Sequence, residues 1–244
     1  MPRFFVDKNK IEENRILIDG ADAHHIARSL RMAEGDEAII CDGMGGEYRC
    51  TLTRIRDEEC ECSIIEALDS GAESPVSITL CMAYPKGDKL ETVIQKAVEL
   101  GCDRIIPFES SRCIKRPKAE KAEKQTARLQ RIAEEAAKQC GRARIPAVCP
   151  PVSFKQMLLE ATESELSLLC YENENGFSIK DALKNAKEKK SISVIVGAEG
   201  GFAPDEVVEA IDSGCLSVTL GPRILRCETA PLFALTAISY ELEM

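Results

Sequence analysis

Two short apolar runs do most to limit what this chain can fold into. Residues 165–171 and 192–197 are apolar almost throughout, without the alternation of a half-exposed strand and too short to be helices of their own. Runs of this kind are strands buried on both faces, which means a largely parallel sheet covered by helices. The surrounding pattern agrees. Helical segments at 154–161, 179–187, 204–213 and 229–242 alternate with further strand-like runs at 76–83, 104–108 and 216–220. Leu90, Val93, Ile94, Ala97 and Val98 fall at the i, i+3, i+4, i+7, i+8 spacing of an amphipathic helix that stops at Gly101. A long helix is expected over 118–140, with Leu129, Ile132, Ala133, Ala136 and Cys140 as its apolar stripe. Strand alternating with helix predicts an α/β domain.

The N-terminal part reads differently. Residues 36–40, 46–54 and 60–68 have strand character and short connections, including the turn cluster Asp42-Gly43-Met44-Gly45-Gly46; 24–30 is the one helical stretch. With no long helix between these strands, a small antiparallel barrel or sandwich is expected. The small, polar, Pro-terminated segment 69–75 separates the two patterns and predicts domains of 1–72 and 73–244. The last helix, with Ala230, Leu232, Phe233, Ala234, Leu235, Ala237, Ile238 and Tyr240, has no polar face. It must be buried inside the fold or against another subunit.

Composition excludes several classes. At 44% hydrophobic and 30% charged over 244 residues, the chain is not disordered, collagen-like or of low complexity. No apolar run approaches the roughly 18 to 20 residues of a membrane span. The N-terminus turns polar by Asp7, too early for a signal peptide, so a cytoplasmic protein is expected. The 12 cysteines include no C-x-x-C, and the only two histidines, His24 and His25, are adjacent. That pattern predicts no metal site and reduced cysteines acting as small core residues, with Cys60 and Cys62 on one face of a strand.

Net charge is −9, yet residues 112–144 carry eleven basic and four acidic side chains. Either this is a solvated helix face, or it is a phosphate-binding stripe that acts locally because exposed charges are screened beyond about 8 Å.

Three loops follow predicted strands and precede predicted helices, where ligands bind in open α/β sheets. The first is Gly197-Ala198-Glu199-Gly200-Gly201, whose glycines permit close backbone approach, with Pro204 opening the next helix. It lacks the dinucleotide G-x-G-x-x-G and the P-loop Gly-Lys-Ser/Thr, and its glutamate disfavours a pyrophosphate. A tight turn capping a helix is the plain alternative. The second, Leu220 through Glu228, packs Arg223, Arg226 and Glu228 around Ile224 and Leu225; with the first it would form one pocket with apolar walls and polar ends. The third, Tyr84-Pro85-Lys86-Gly87-Asp88-Lys89, is a phosphate contact or a plain connector.

Taken together, these residues resemble a known family. Phe4-Phe5-Val6, His24 through Met32, Gly35-Asp36-Glu37, Asp42-Gly43, Lys86-Gly87-Asp88, Gln95 through Gly101, Glu135 through Arg142 and the two cleft loops follow in one order. The order closely resembles that of bacterial small-subunit ribosomal RNA uridine-N3 methyltransferases of the SPOUT class. The family usually has proline where Ala198 stands and threonine where Cys227 stands. The resemblance implies an N-terminal PUA-like β-barrel for RNA, a C-terminal α/β domain tied in a trefoil knot, a homodimer and S-adenosylmethionine as cofactor. Gly197, Glu199, Gly200, Gly201, Leu220, Gly221, Ile224, Leu225 and Arg226 would hold the cofactor. Contacts to ribosomal RNA are expected from Arg3, His25, Arg28, Arg31, Lys86, Lys96, Arg112, Arg142 and Arg144.

The implied reaction is methyl transfer to N3 of an unpaired or flipped uridine. Glu228 is the candidate base, and Arg226 or Arg223 the stabiliser of the uridine anion. A non-catalytic RNA-binding protein and a nicotinamide-dependent oxidoreductase are the competing readings; the intact charged loop argues against the first and the missing fingerprint against the second.

Overall fold

The two sequence patterns form two sheets, each within its own unit of chain. A computed structural model describes residues 1–69, 71–114 and 119–244. Ser70 of the predicted boundary, and Lys115, Arg116 and Lys118 of the basic segment, lie outside the described residues, as does the predicted helix start at Lys118. One unit comprises Met1–Glu73 and Ala137–Ile145, the other Ser74–Ala136 and Pro146–Met244.

In the first unit, β1 (Arg3–Phe5), β2 (Arg15–Asp19), β3 (Glu37–Cys41), β4 (Glu47–Ile55) and β5 (Glu59–Leu68) form a sheet in the order β1-β3-β4-β5-β2. The pairings are antiparallel except β1 with β3. Register shifts between Arg49 and Cys50 and between Leu52 and Arg54 bend the long β4–β5 ladder. The result is a curled half-barrel with β1 and β2 at its edges, which departs, in its one parallel pairing of β1 with β3, from the small antiparallel barrel or sandwich expected. β1 and β2 carry no clear sequence signal because three- and five-residue strands show too little alternation. The predicted helical stretch starts earlier, as α1 (Gly20–His24), and continues as a π-helical turn over His25–Leu30 that ends at Arg31 with φ 52°. Cys60 and Cys62 do share a face, buried with Ile16, Ile18, Ile40 and Leu52. No disulfide links any of the twelve cysteines.

The second unit is an α/β sheet with every pairing parallel. Its strands are β6 (Ser77–Ala83), β7 (Arg104–Glu109), β8 (Ala147–Val148), β9 (Val152–Ser153), β10 (Leu166–Cys170), β11 (Ser191–Val196) and β12 (Leu216–Val218). They run in the order β12-β10-β11-β6-β7-β8, with β9 also on β7. The two continuous apolar runs are β10 and β11, paired in the interior with Val194 opposite Leu168 on one side and Leu80 on the other. The helices are α2 (Lys89–Glu99), α3 (Ala119–Cys140), α4 (Phe154–Ala161), α5 (Ile179–Lys184), α6 (Pro204–Asp212) and α7 (Thr229–Leu242).

Because all strands are parallel, the loops leaving β6, β10, β11 and β12 emerge at one edge of the sheet. α7 packs against α2, α5 and β11 through Ala234, Leu235 and Ile238, but leaves Phe233 42% and Tyr240 69% exposed. One chain therefore covers only part of this apolar helix. Among the described residues, no helix is long and apolar enough to cross a membrane.

Candidate functional site

β11 delivers the glycine loop directly from the buried sheet. The chain turns tightly between Ala198 and Gly201, whose N–H donates to the Ala198 carbonyl at 3.0 Å. Gly201 has φ +61°, and a side chain there would collide with the Glu172 carboxylate. At Gly197 an added Cβ would lie 3.1 Å from the Gly201 backbone, and at Gly200 3.0 Å from Arg112 Cβ. Backbone therefore forms this wall of the site, and a side chain at any of the three glycines would require its neighbours to shift. Buried Glu206 braces the loop, accepting the Ala203 N–H at 2.9 Å and the Ser111 N–H at 2.7 Å.

The loop after β12 closes the other side. Gly221 takes φ +114°, Ile224 is 87% exposed, and Arg223 and Arg226 are exposed without an ion pair among the described residues. With Tyr171, Glu172 and Asn175 after β10, the two loops line one cleft of about 480 Å³. The structure thus brings Gly197, Glu199, Gly200, Gly201, Leu220, Gly221, Arg223, Ile224, Leu225 and Arg226 together around one space. Glu228 stands at the base of α7 beside it.

Lys89, the first residue of α2, links the two loops. Its Nζ lies 3.0 Å from Glu199 Oε1 and 3.1 Å from Glu228 Oε2. Glu199 also accepts the Lys86 N–H at 3.1 Å, and the Cys227 thiol donates to Glu228 Oε2 at 3.2 Å. Glu228 is held below the ordinary carboxylate range by its own backbone N–H and by Cys227, with Lys89 adding to the effect against partial burial. Burial of Glu199 works the other way, but its own backbone N–H, Lys89 and the Lys86 N–H together outweigh it, so it too is lowered. Burial and the neighbouring Glu228 push the Cys227 thiol up to about 12. Among the described residues, no group of His, Cys, Asp or Glu is placed to hold a metal ion.

Comparison with known proteins bears on this cleft. Residues 72–239 match an RNA methyltransferase domain, and residues 18–65 an RNA methyltransferase PUA domain. The ribosomal RNA small subunit methyltransferase E of Bacillus subtilis (strain 168) is 37% identical over 100% of this chain and 98% of its own. The chain belongs to the ribosomal RNA small subunit methyltransferase E family. A member of that family from Neisseria gonorrhoeae, solved bound to S-adenosyl methionine, is 32% identical and covers 98% of this chain and 97% of its own at a TM-score of 0.85. A Legionella pneumophila structure with bound cofactor SAM, 28% identical and covering 98% of this chain and 96% of its own, also has a TM-score of 0.85.

The cationic residues expected to touch RNA in this member of the methyltransferase E family have diverse settings. Two do not fit. Arg142 is only 2% exposed, and its Nε and Nη2 donate to Glu73 Oε2 at 3.1 and 2.8 Å. Arg3 is also withdrawn, bound to Glu47 at 2.8 Å and to Cys41 Sγ at 2.9 Å. Both arginines are internal braces, because a carboxylate within the same unit already takes the charge. Arg28 pairs with Asp57 and Lys96 with Glu99. Arg112 is exposed, but its Nη1 donates to the Gly200 carbonyl at 3.0 Å, which makes it part of the glycine loop's support. His25, Arg31, Lys86 and Arg144 are exposed.

Lys89, Glu172 and Glu206 are among the residues of the site with no catalytic or cofactor role assigned from sequence. Lys89 has a signal, since it closes the third loop; Glu172, at the end of β10, and Glu206, within α6, carry no motif.

Proposed function

We propose that this chain transfers the methyl group of S-adenosylmethionine to N3 of an unpaired uridine in small-subunit (16S) ribosomal RNA, in the cleft between the glycine loop and the β12–α7 loop. One observation carries the reading: a side-chain-free glycine wall and ionised carboxylates share a cleft with an exposed, unpaired arginine loop, in a chain of the small subunit methyltransferase E family. The cleft suits the cofactor's chemistry. Gly197, Gly200 and Gly201 offer backbone, Glu199 and Glu172 oppose a cation, and Ile224 and Leu225 provide apolar surface for an adenine face. The same carboxylates oppose the pyrophosphate of a nicotinamide cofactor.

When bound, S-adenosylmethionine supplies an electrophilic methyl carbon whose bond to the sulfonium sulfur breaks with the electron pair returning to sulfur. The residues of this chain prepare the nucleophile. The uridine imide must lose its N3 proton, because only then does N3 present a lone pair in the ring plane. Glu228 accepts that proton. A carboxylate held low is fully ionised but a weak base, so Arg226 and Arg223 contribute by stabilising the uridine anion and thereby acidifying the imide. Exposed, unpaired guanidinium groups at the cleft mouth are free to do this. Since N3 lies on the pairing edge, the base enters the site unpaired.

In this reading residues 1–72 form the PUA-like RNA-binding domain, and 73–244 the methyltransferase domain in its knotted SPOUT form. RNA contacts fall to His25, Arg28, Arg31, Lys86, Lys96 and Arg144. The exposed apolar side of α7, with Phe233 and Tyr240, is covered by a second copy in a homodimer acting in the cytoplasm. The test is incubation with small ribosomal subunits and methyl-labelled S-adenosylmethionine, followed by nucleoside mass spectrometry. Labelled 3-methyluridine is expected; no label, or label on another base or on ribose, overturns the proposal.

A further inference from the structure

Lys89 has no part in the chemistry set out above, yet its ammonium stands between two acidic groups of the site, Glu199 and Glu228. Three acceptors from two loops surround Nζ: Glu199 Oε1 at 3.0 Å, Glu228 Oε2 at 3.1 Å and Cys227 Sγ at 3.7 Å. An ammonium has three donors, and here each has an acceptor. The lysine begins α2, and the Lys86 N–H of the loop before it holds the same Glu199 carboxylate. We propose that Lys89 is a positioning residue for methyl transfer, tying the cofactor-loop carboxylate of Glu199 to the substrate-loop carboxylate of Glu228 so that both stay ionised in one geometry. This rests on the methyl-transfer reading.

The physical cause is repulsion. Two carboxylates sharing one cleft raise each other's affinity for a proton, and a cation held between them opposes that and fixes their separation. The other charged groups lining the cleft are Glu172, Arg223 and Arg226, and among the described residues none makes an ion pair with Glu199 or Glu228. Lys89 is therefore the cation, among the described residues, that pairs with both carboxylates, adding to the backbone N–H groups that also hold them, with the Cys227 thiol as a neutral donor beside it. Its side chain is 32% exposed, so the contact contributes little to folding. The side-chain contacts from Lys89 and Cys227 both fall on Glu228 Oε2.

The test compares wild type with Lys89→Met, a second neutral variant Lys89→Gln, and the charge-preserving Lys89→Arg. In the free protein, carbon-13 NMR titration of the glutamate carboxyls should show the Glu228 midpoint moved to higher pH in both neutral variants and returned toward wild type in Lys89→Arg. Methyl transfer by the neutral variants should fall most at the acid end of the pH profile, with the deficit narrowing as pH rises and Glu228 regains its charge. S-adenosylmethionine affinity should change by less than about tenfold, because the ammonium faces carboxylates rather than cofactor. An unmoved midpoint in a folded neutral variant, or a deficit constant across pH, overturns the positioning role. A wild type that binds cofactor without methylating ribosomal RNA overturns the methyl-transfer reading itself, while the titration still reports on the ion cluster.

Discussion

Gly141-Arg142-Ala143-Arg144 and Arg223-Ile224-Leu225-Arg226 look alike in sequence, each a pair of arginines beside small or apolar residues in a loop before or after a helix. Their settings differ. Arg142 is buried against Glu73, whose carboxylate also accepts the N–H groups of Ala143 and Arg144, both at 2.9 Å. Arg223 and Arg226 are exposed and meet no carboxylate among the described residues. A guanidinium thus serves a ligand only where the fold leaves it unanswered. An acid distant in sequence decides that, and Glu73 is 69 residues from Arg142.

The buried arginine is the more sensitive of the two settings. Glu73→Ala takes the carboxylate from a buried guanidinium and an acceptor from two N–H groups, so it should cost about 3–5 kcal/mol in chemical denaturation. A cost near zero would mean that Glu73 does not hold Arg142 in place. On the exposed side, Arg223→Glu with Arg226→Glu should leave stability within about 0.5 kcal/mol of wild type. The same pair should weaken RNA binding and reduce its log–log salt slope by roughly 0.7 to 0.9 for each phosphate that is no longer neutralised. An unchanged slope with abolished methylation would place both arginines on the base rather than the backbone.

The acidic groups between the loops extend the contrast to pH. Glu199 sits below its ordinary value of 4.5, and it is the ionised form that attracts a sulfonium. Cofactor affinity should therefore persist to lower pH than an ordinary carboxylate would allow and weaken as Glu199 takes up its proton, as read by calorimetry. Weakening that begins above the ordinary carboxylate range would show Glu199 to be raised instead. A still smaller effect is expected at Cys227, where the family usually has threonine. Either residue donates to Glu228 Oε2, so Cys227→Thr should change stability by under about 1 kcal/mol. With its thiol pushed up to about 12, Cys227 should also resist alkylation at pH 8.

Much of the α/β unit is legible in the sequence because β10, β11 and the amphipathic helices each carry a period set by burial. The cleft is legible for a related reason: glycines and charges directly after apolar strands stand out against the sheet. The rest depends on contacts between distant residues. β1 and β2 owe their places to pairing with β3 and β5, the half-barrel owes its opening to which strands fall at its edges, and Lys89 acquires meaning only when two other loops converge on it. Arg142 misleads for the same reason, since nothing near it in sequence announces Glu73.

Whether the methyl donor lies on the glycine wall is decided by titrating S-adenosylmethionine calorimetrically into wild type and Gly201→Val. At φ +61° valine lacks the backbone conformation it needs, and its Cβ would displace the Glu172 carboxylate from the cleft. One cofactor should bind per wild-type chain, with no detectable binding to a variant that retains the wild-type circular dichroism spectrum. Binding by folded Gly201→Val at unchanged affinity would contradict this and put the donor elsewhere.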